Sequence, residues 1–435
     1  MSVEKYFVPE GANEDLRVAE RPGTVHVGDD EFQTRISTKV RFRPRPRFVM
    51  TARIEPDLVQ GMRLAIEDRP VGIRLDGDDT PRDVILTHTE PGDPLTLKMT
   101  LPGGFLVDGE ESDAKEVGCH LVNLPDFVTR ANARNGPRGL TLQDELFEVK
   151  LDATPTADEI FAGLKSEGGF GITHVGRIRR RDEEDIPFDL AQGQLHKIHT
   201  FLSFVRGASV GLLLPMGWDD DGVVRWTEWG DRQVTEWKGI LSWSDRKHGN
   251  EVELAYRGFS RRWEDSYWRD VFKTCVYWYT RSNSAGAGVD GGLILTQAAL
   301  EKVAAACLME EWGSLSPDGF KKLPASDRLR LTLSRMKVPL EIPDVMPELA
   351  ALAKAFNWDD GPAAVTEVRN HLVHADRKSR LAGRNVPYHE AWNLGQWYLE
   401  LALLNLCDFR GKYGDRRPLA RRVGEVTPVP WSSAV

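Results

Sequence analysis

The hydrophobic period of the chain changes once along its length, and that change restricts the fold to a β-rich part followed by a helical part. From Thr24 to about Val149 the sequence runs in short β-favouring segments interrupted by Gly, Pro and Asp. Residues 48–54, 71–75, 84–88, 95–99 and 147–152 show full or partial apolar/polar alternation, the period of a half-buried strand. Regular short strands at this spacing predict an antiparallel β-sandwich. Thr156 is placed to cap a short helix carrying Ile160, Phe161 and Leu164. From Trp263 onward the spacing of Trp263, Tyr267, Val271, Cys275 and Trp278 predicts a helix over residues 262–281 with a packed aromatic face. Between these parts, residues 210–215 read as a buried strand and residues 237–243 as a further strand. Tryptophan marks the same change, because all thirteen lie at or after Trp218.

The expected fold class is therefore a multidomain α+β chain. A β-rich, sandwich-like N-terminal domain over residues 1–190 would sense or regulate. A mixed, aromatic-rich middle over residues 191–288 leads into an all-helical bundle over residues 289–415 and a loose tail over residues 416–435.

Composition narrows the function classes. A net charge of -9 argues against a chain that coats nucleic acid non-specifically, while leaving a local basic site open. The run from Arg177 to Arg181 is followed at once by Asp182, Glu183, Glu184 and Asp185, so it reads as self-neutralising surface. Four cysteines (Cys119, Cys275, Cys307, Cys407) lie far apart without CxxC spacing, which fits a reduced cytoplasm. No basic stretch followed by an apolar run opens the chain, and no run of about 18 apolar residues predicts a membrane span. No cofactor or metal is expected. His196 and His199 lack a third ligand at a recognisable spacing, and Asp219-Asp220-Asp221-Gly222 lacks the downstream glutamate of a calcium loop and reads as a hairpin turn.

In the C-terminal third, residues 296–312 carry a stripe of Leu300, Val303, Ala304, Cys307 and Leu308, and further helices are expected after Pro324 and over residues 346–356. Asp359-Asp360-Gly361-Pro362 has acidic residues and a proline where a helix starts. That helix turns Val365, Val368 and Leu372 inward and ends in Arg377, Lys378 and Arg380. A last helix over residues 388–409 is apolar nearly all round and must be buried on several sides.

Inside the fourth of these helices lies Arg369-Asn370-His371-Leu372-Val373-His374. Arginine followed closely by histidine also occurs at Arg21 and His26, Arg82 and His88, and Arg384 and His389. The first two pairs sit in turn-rich β territory, and Pro387 interrupts the third. Only Arg369 and His374 lie wholly within one amphipathic helix of a helical bundle. With this signature the bundle resembles a HEPN domain, whose ribonucleases carry an Arg-x4–6-His motif. The β-rich first part, with residues 121–127 (Leu-Val-Asn-Leu-Pro-Asp-Phe), and the aromatic middle resemble the ApeA-like HEPN proteins of bacterial antiphage defence.

The resemblance implies a metal-independent endoribonuclease that leaves 2′,3′-cyclic phosphate ends, acts as a homodimer, and answers to a phage-derived trigger or an antitoxin. The residue chemistry agrees. His374 can exchange protons near neutrality. Arg369 stays charged and offers a planar fork to phosphate oxygens, and Asn370, four residues before His374, can orient the imidazole or bind phosphate. His371, Arg377 and Lys378 are expected to contact the RNA. On an ideal helix Arg369 and His374 are offset by about 140°, so a seam between two protomers serves one phosphate better than one helix does. The competing expectation is a non-catalytic sensor or binding protein that uses the bundle to dimerise.

Overall fold

A computed structural model describes residues 6–7, 9–55, 70–78, 81–90, 92, 94–103, 105–129, 138–284, 288–373, 381, 385–418 and 420–433. The chain is α+β, with an antiparallel β-rich N-terminal part and helices toward the C-terminus. Two compact units interleave along the sequence. The first comprises Met1–Leu124, Leu151–Ala191 and Val210–Lys238, and the second Pro125–Lys150, Gln192–Ser209 and Gly239–Val435.

In the first unit, β1 (Leu16–Val27), β2 (Asp30–Arg41), β3 (Arg47–Ile54), β4 (Val71–Leu75), β5 (Arg82–Glu90) and β6 (Leu95–Thr100) form a closed antiparallel barrel in the order β1-β2-β3-β6-β5-β4. Alternation fills it: Phe48, Met50, Ala52 and Ile54 of β3 and Leu95, Leu97 and Met99 of β6 are buried, and Ala52 pairs with Leu97. This corrects the sandwich expectation. The long β1 pairs with β2 along its length and with β4 through Gly23 to Val27, so one sheet closes on itself, and its core cluster continues into residues such as Val122, Leu213 and Trp229.

The next strands are β7 (Phe105–Gly109), β8 (Glu116–Val122), β9 (Gly139–Gln143) and β10 (Phe147–Ala153). After α1 (Ala157–Glu167) follow β11 (Ile172–Arg180), β12 (Gly211–Trp218) and β13 (Val224–Gly230). In the first unit they give the order β7-β13-β12-β8-β11. β8 lies centrally between β12 and β11, and all its residues are buried. Asn123 then reverses the chain at φ 62°. Its side-chain amide donates to the carbonyls of Gly169 (3.0 Å) and Thr235 (3.1 Å) and its oxygen accepts from Gly171 N (3.0 Å). Thr156 precedes α1 but makes no capping bond; its hydroxyl donates to Pro9 O at 2.9 Å. Asp219 closes the expected hairpin turn, accepting from Val223 N at 2.8 Å.

The second unit holds most of α2 (Phe188–Arg206), then α3 (Gly249–Glu264), α4 (Ser266–Asn283), α5 (Gly288–Ala305), α6 (Pro317–Lys322), α7 (Ala325–Arg335), α8 (Pro347–Phe356), α9 (Gly361–Val373) and α10 (Tyr388–Leu406). The single helix expected over residues 262–281 is two. Asp265 is extended, and its carboxylate accepts from Tyr267 N (2.8 Å) and Trp268 N (3.3 Å), which ends α3 and caps α4. Residues 237–243 form no strand; Trp243 is buried against Phe204 and Phe409. A π-helical turn, Ala306–Glu311, extends α5. Gly288–Glu311 is long and apolar enough to cross a membrane by length and composition, and 61% of its apolar window is buried, as in a core helix.

α10 is less uniformly apolar than expected. Asn393, Gln396 and Glu400 recur at i, i+3 and i+7 and are all buried. They meet Arg416, which is also fully buried and donates to Glu400 Oε1 (2.9 Å), Asn393 Oδ1 (3.0 Å) and Gln396 Oε1 (3.3 Å). The segment expected to be a loose tail is therefore held to the helices. Lys412–Tyr413 pairs with Thr427–Pro428, and the indole of Trp431 donates to Phe409 O at 2.7 Å. A buried Glu400 needs a counter-charge, and the tail supplies it.

Candidate functional site

The site begins with how α9 is held. Asp360 Oδ1 accepts from Ala363 N (2.9 Å) at the helix start and from Arg330 Nη2 of α7 (3.1 Å), so cap and ion pair share one carboxylate. Gly361 allows close packing there: a Cβ at this position would lie 2.1 Å from the Tyr398 hydroxyl. Ala364, Val365 and Val368 are buried, and α9 packs on α5, α7 and α10. Thr366 accepts from Gln297 Nε2 of α5 at 3.3 Å, which fixes the rotation of α9. Leu372, expected inward, is half-buried.

This rotation leaves Arg369, Asn370 and His371 half-buried in the last described turns. Arg369 Nη1 donates to Asn370 Oδ1 at 3.2 Å. Arg369 Nε is buried without a hydrogen-bond partner, and no carboxylate pairs with this guanidinium among the described residues. The imidazole of His371 lies nearly parallel to the ring of Tyr388, at 6.3 Å and 10°. Burial, reinforced by the charge of Asp290, raises the Tyr388 hydroxyl above its ordinary range, so it stays protonated at neutrality.

Tyr388 opens α10, followed by the exposed His389, whose ring is 5.5 Å from that of Trp392. The Trp392 indole donates to Ser282 Oγ at the end of α4 (2.8 Å). One end of the helical unit thus gathers Arg369, Asn370, His371, Tyr388, His389 and Trp392. His374, Arg377 and Lys378, expected to supply the imidazole and the RNA contacts, lie outside the described residues.

Chemically, this end offers a permanently charged planar donor with unspent hydrogen-bonding capacity, an amide beside it, and half-buried or exposed aromatic rings. Such a set suits phosphate oxygens and flat bases. Among the described residues no group of three or more His, Cys, Asp or Glu side chains could hold a metal ion. Sequence reasoning missed Tyr388, His389 and Trp392 as neighbours, because their approach to His371 is set by helix packing. The stripe of Asn393, Gln396 and Glu400 carried a readable signal: polar residues at helical spacing in an otherwise apolar helix.

Residues 109–240 match the YopA central domain and residues 265–428 the YopA C-terminal domain. No solved structure matches the chain. Along its whole length the chain is similar to the SPbeta prophage-derived uncharacterized protein YopA of Bacillus subtilis (strain 168), with 24% identity over 441 residues covering 100% of this chain and 99% of the relative.

Proposed function

We propose that this protein is a metal-independent endoribonuclease of HEPN type, with a HEPN-like helical bundle, acting in the cytoplasm as a homodimer whose β-rich part restrains or triggers it. The observation that carries the reading is the Arg369–Asn370 pair on α9: a half-buried guanidinium whose Nε has no partner and which no described carboxylate neutralises. In this reading Arg369 binds the phosphate and stabilises the charge that develops on it, an effect worth about 10²–10³-fold in comparable sites. His374 takes the proton from the 2′-hydroxyl or returns one to the leaving 5′-oxygen. Asn370 orients the guanidinium. His371, with Arg377 and Lys378, contacts the RNA. The prophage origin of the YopA relative supports a phage–host setting, and the proposal places the cleavage in antiphage defence or abortive infection.

The test is incubation of the full chain with total RNA in EDTA, beside Arg369→Ala and His374→Ala. Cleavage by the wild type that leaves 2′,3′-cyclic phosphate ends, lost in both variants, is the expected result. Equal cleavage by either variant would remove the reading. Dimeric protein that binds its partners but never cleaves RNA, even with phage lysate added, would favour the non-catalytic sensor.

A further inference from the structure

The α4 helix carries a feature that the proposed chemistry does not use. Lys273, Tyr277 and Arg281 recur at i, i+4 and i+8, so they form one row along the helix. All three are exposed, and Tyr277 keeps 51% of its surface in water. The Arg281 guanidinium sits over the Tyr277 ring, 5.4 Å from its centroid. Neither Lys273 nor Arg281 pairs with a carboxylate among the described residues, while the nearby Asp270 is neutralised by Lys302 at 2.9 Å. Trp278 beside them is half-buried. The opposite face of α4, with Val271, Phe272, Cys275, Val276 and Tyr279, is buried and accounts for the folding role of this helix.

An exposed ring flanked by two cations that no described carboxylate neutralises is poorly explained by packing, and it matches a strand with flat bases and a charged backbone. The row also has a direction. Ser282, in the last turn of α4, accepts from Trp392, and Trp392 shares the first turns of α10 with Tyr388, the ring against His371. We infer that Lys273, Tyr277 and Arg281 form a docking strip for single-stranded RNA, with a base stacked on Tyr277 and phosphates on the two cations, leading toward the Arg369 end of the helical unit. The inference rests on the proposed nuclease reading for its choice of ligand. Stacking supplies sequence-tolerant affinity and the cations supply salt-dependent affinity.

The experiment uses the full chain and a short fluorescent single-stranded RNA carrying 2′-O-methyl groups, which has no attacking hydroxyl and is not consumed. Anisotropy titrations should show Tyr277→Ala weakening binding by about 5- to 150-fold, while Tyr277→Phe stays near wild type. Replacing Lys273 and Arg281 together by Ala should flatten the plot of log affinity against log salt by about 1.4, at about 0.7 per charge. Unchanged binding by Tyr277→Ala, equal loss in Tyr277→Phe, or tighter capture of an acidic peptide than of RNA would overturn the strip. RNA bound through the strip but never cleaved would leave the strip standing and remove the nuclease. Cleavage with unaltered KM in Tyr277→Ala would do the reverse.

Discussion

Replacing Arg416 by methionine should destabilise the helical unit more than any other single change in the tail. Arg416 and Glu400 have no exposed side-chain surface, and their 2.9 Å contact is supported by Asn393, Gln396 and Asn283, with Tyr279 donating to the same Glu400 oxygen. Methionine fills much of the volume but leaves the Glu400 carboxyl buried without its partner. Breaking a buried pair this way costs about 3–5 kcal/mol, a large part of a typical total of about 5–15 kcal/mol. The loss should depend on pH. Burial already raises the Glu400 carboxyl above its ordinary 4.5, against the opposing pull of Arg416. A carboxyl raised on folding favours the native state below its unfolded value, and that contribution is lost as pH rises through the folded value. Without Arg416 the folded value rises further, so the deficit should be full near pH 7 and shrink as Glu400 takes up a proton in acid. Hydrogen exchange of the α10 amides reads the opening free energy of this unit directly. A loss below about 1 kcal/mol, the same at neutral and acidic pH, would mean that water reaches the pair and would refute the reasoning.

Three further predictions concern positions where the packing is equally specific. Asn123→Ala removes three side-chain hydrogen bonds and places a Cβ-only residue at φ 62°, so it should cost about 2–4 kcal/mol in urea unfolding of the β-rich unit; an effect within experimental error would show that the loop re-forms without the amide. Gly258→Ala would put a methyl 1.7 Å from Cys407 O, where α3 passes the end of α10, and should lower stability by about 1–3 kcal/mol, whereas an unchanged melting temperature would contradict that close approach. All four cysteines are buried, and burial pushes the Cys119 and Cys307 thiols up to about 12, so a thiol reagent near neutral pH should label the protein only after denaturant is added. Rapid labelling of the native chain would show that the buried assignment is wrong.

Elements whose apolar period matches their burial were readable from residue types. β3 and β6 alternate because they face one core, and α9 announces its start through Asp360 and Pro362. Closure of the barrel was not readable, since it depends on which strand β4 meets, and alternation is the same in a barrel and a sandwich. The break at Asp265 was hidden because Trp263 and Tyr267 keep a helical spacing across it. The tail looked loose because its composition is polar, and the use of Arg416 is visible only once Glu400 is seen to be buried. For the candidate site, the helix beneath Arg369 and Asn370 followed from period, while the rings at Tyr388, His389 and Trp392 came from tertiary packing that no local pattern encodes.

The claim that α9 carries half of a shared RNA-cleaving site is tested most directly by mixing two inactive proteins. Arg369→Ala and His374→Ala, each unfolded and refolded together or co-expressed, should form mixed dimers in which one seam keeps an intact Arg369 and an intact His374 from different protomers. The account predicts that the mixture regains cleavage with 2′,3′-cyclic phosphate ends while each variant alone has none. Cleavage by either variant alone at the wild-type rate would contradict it.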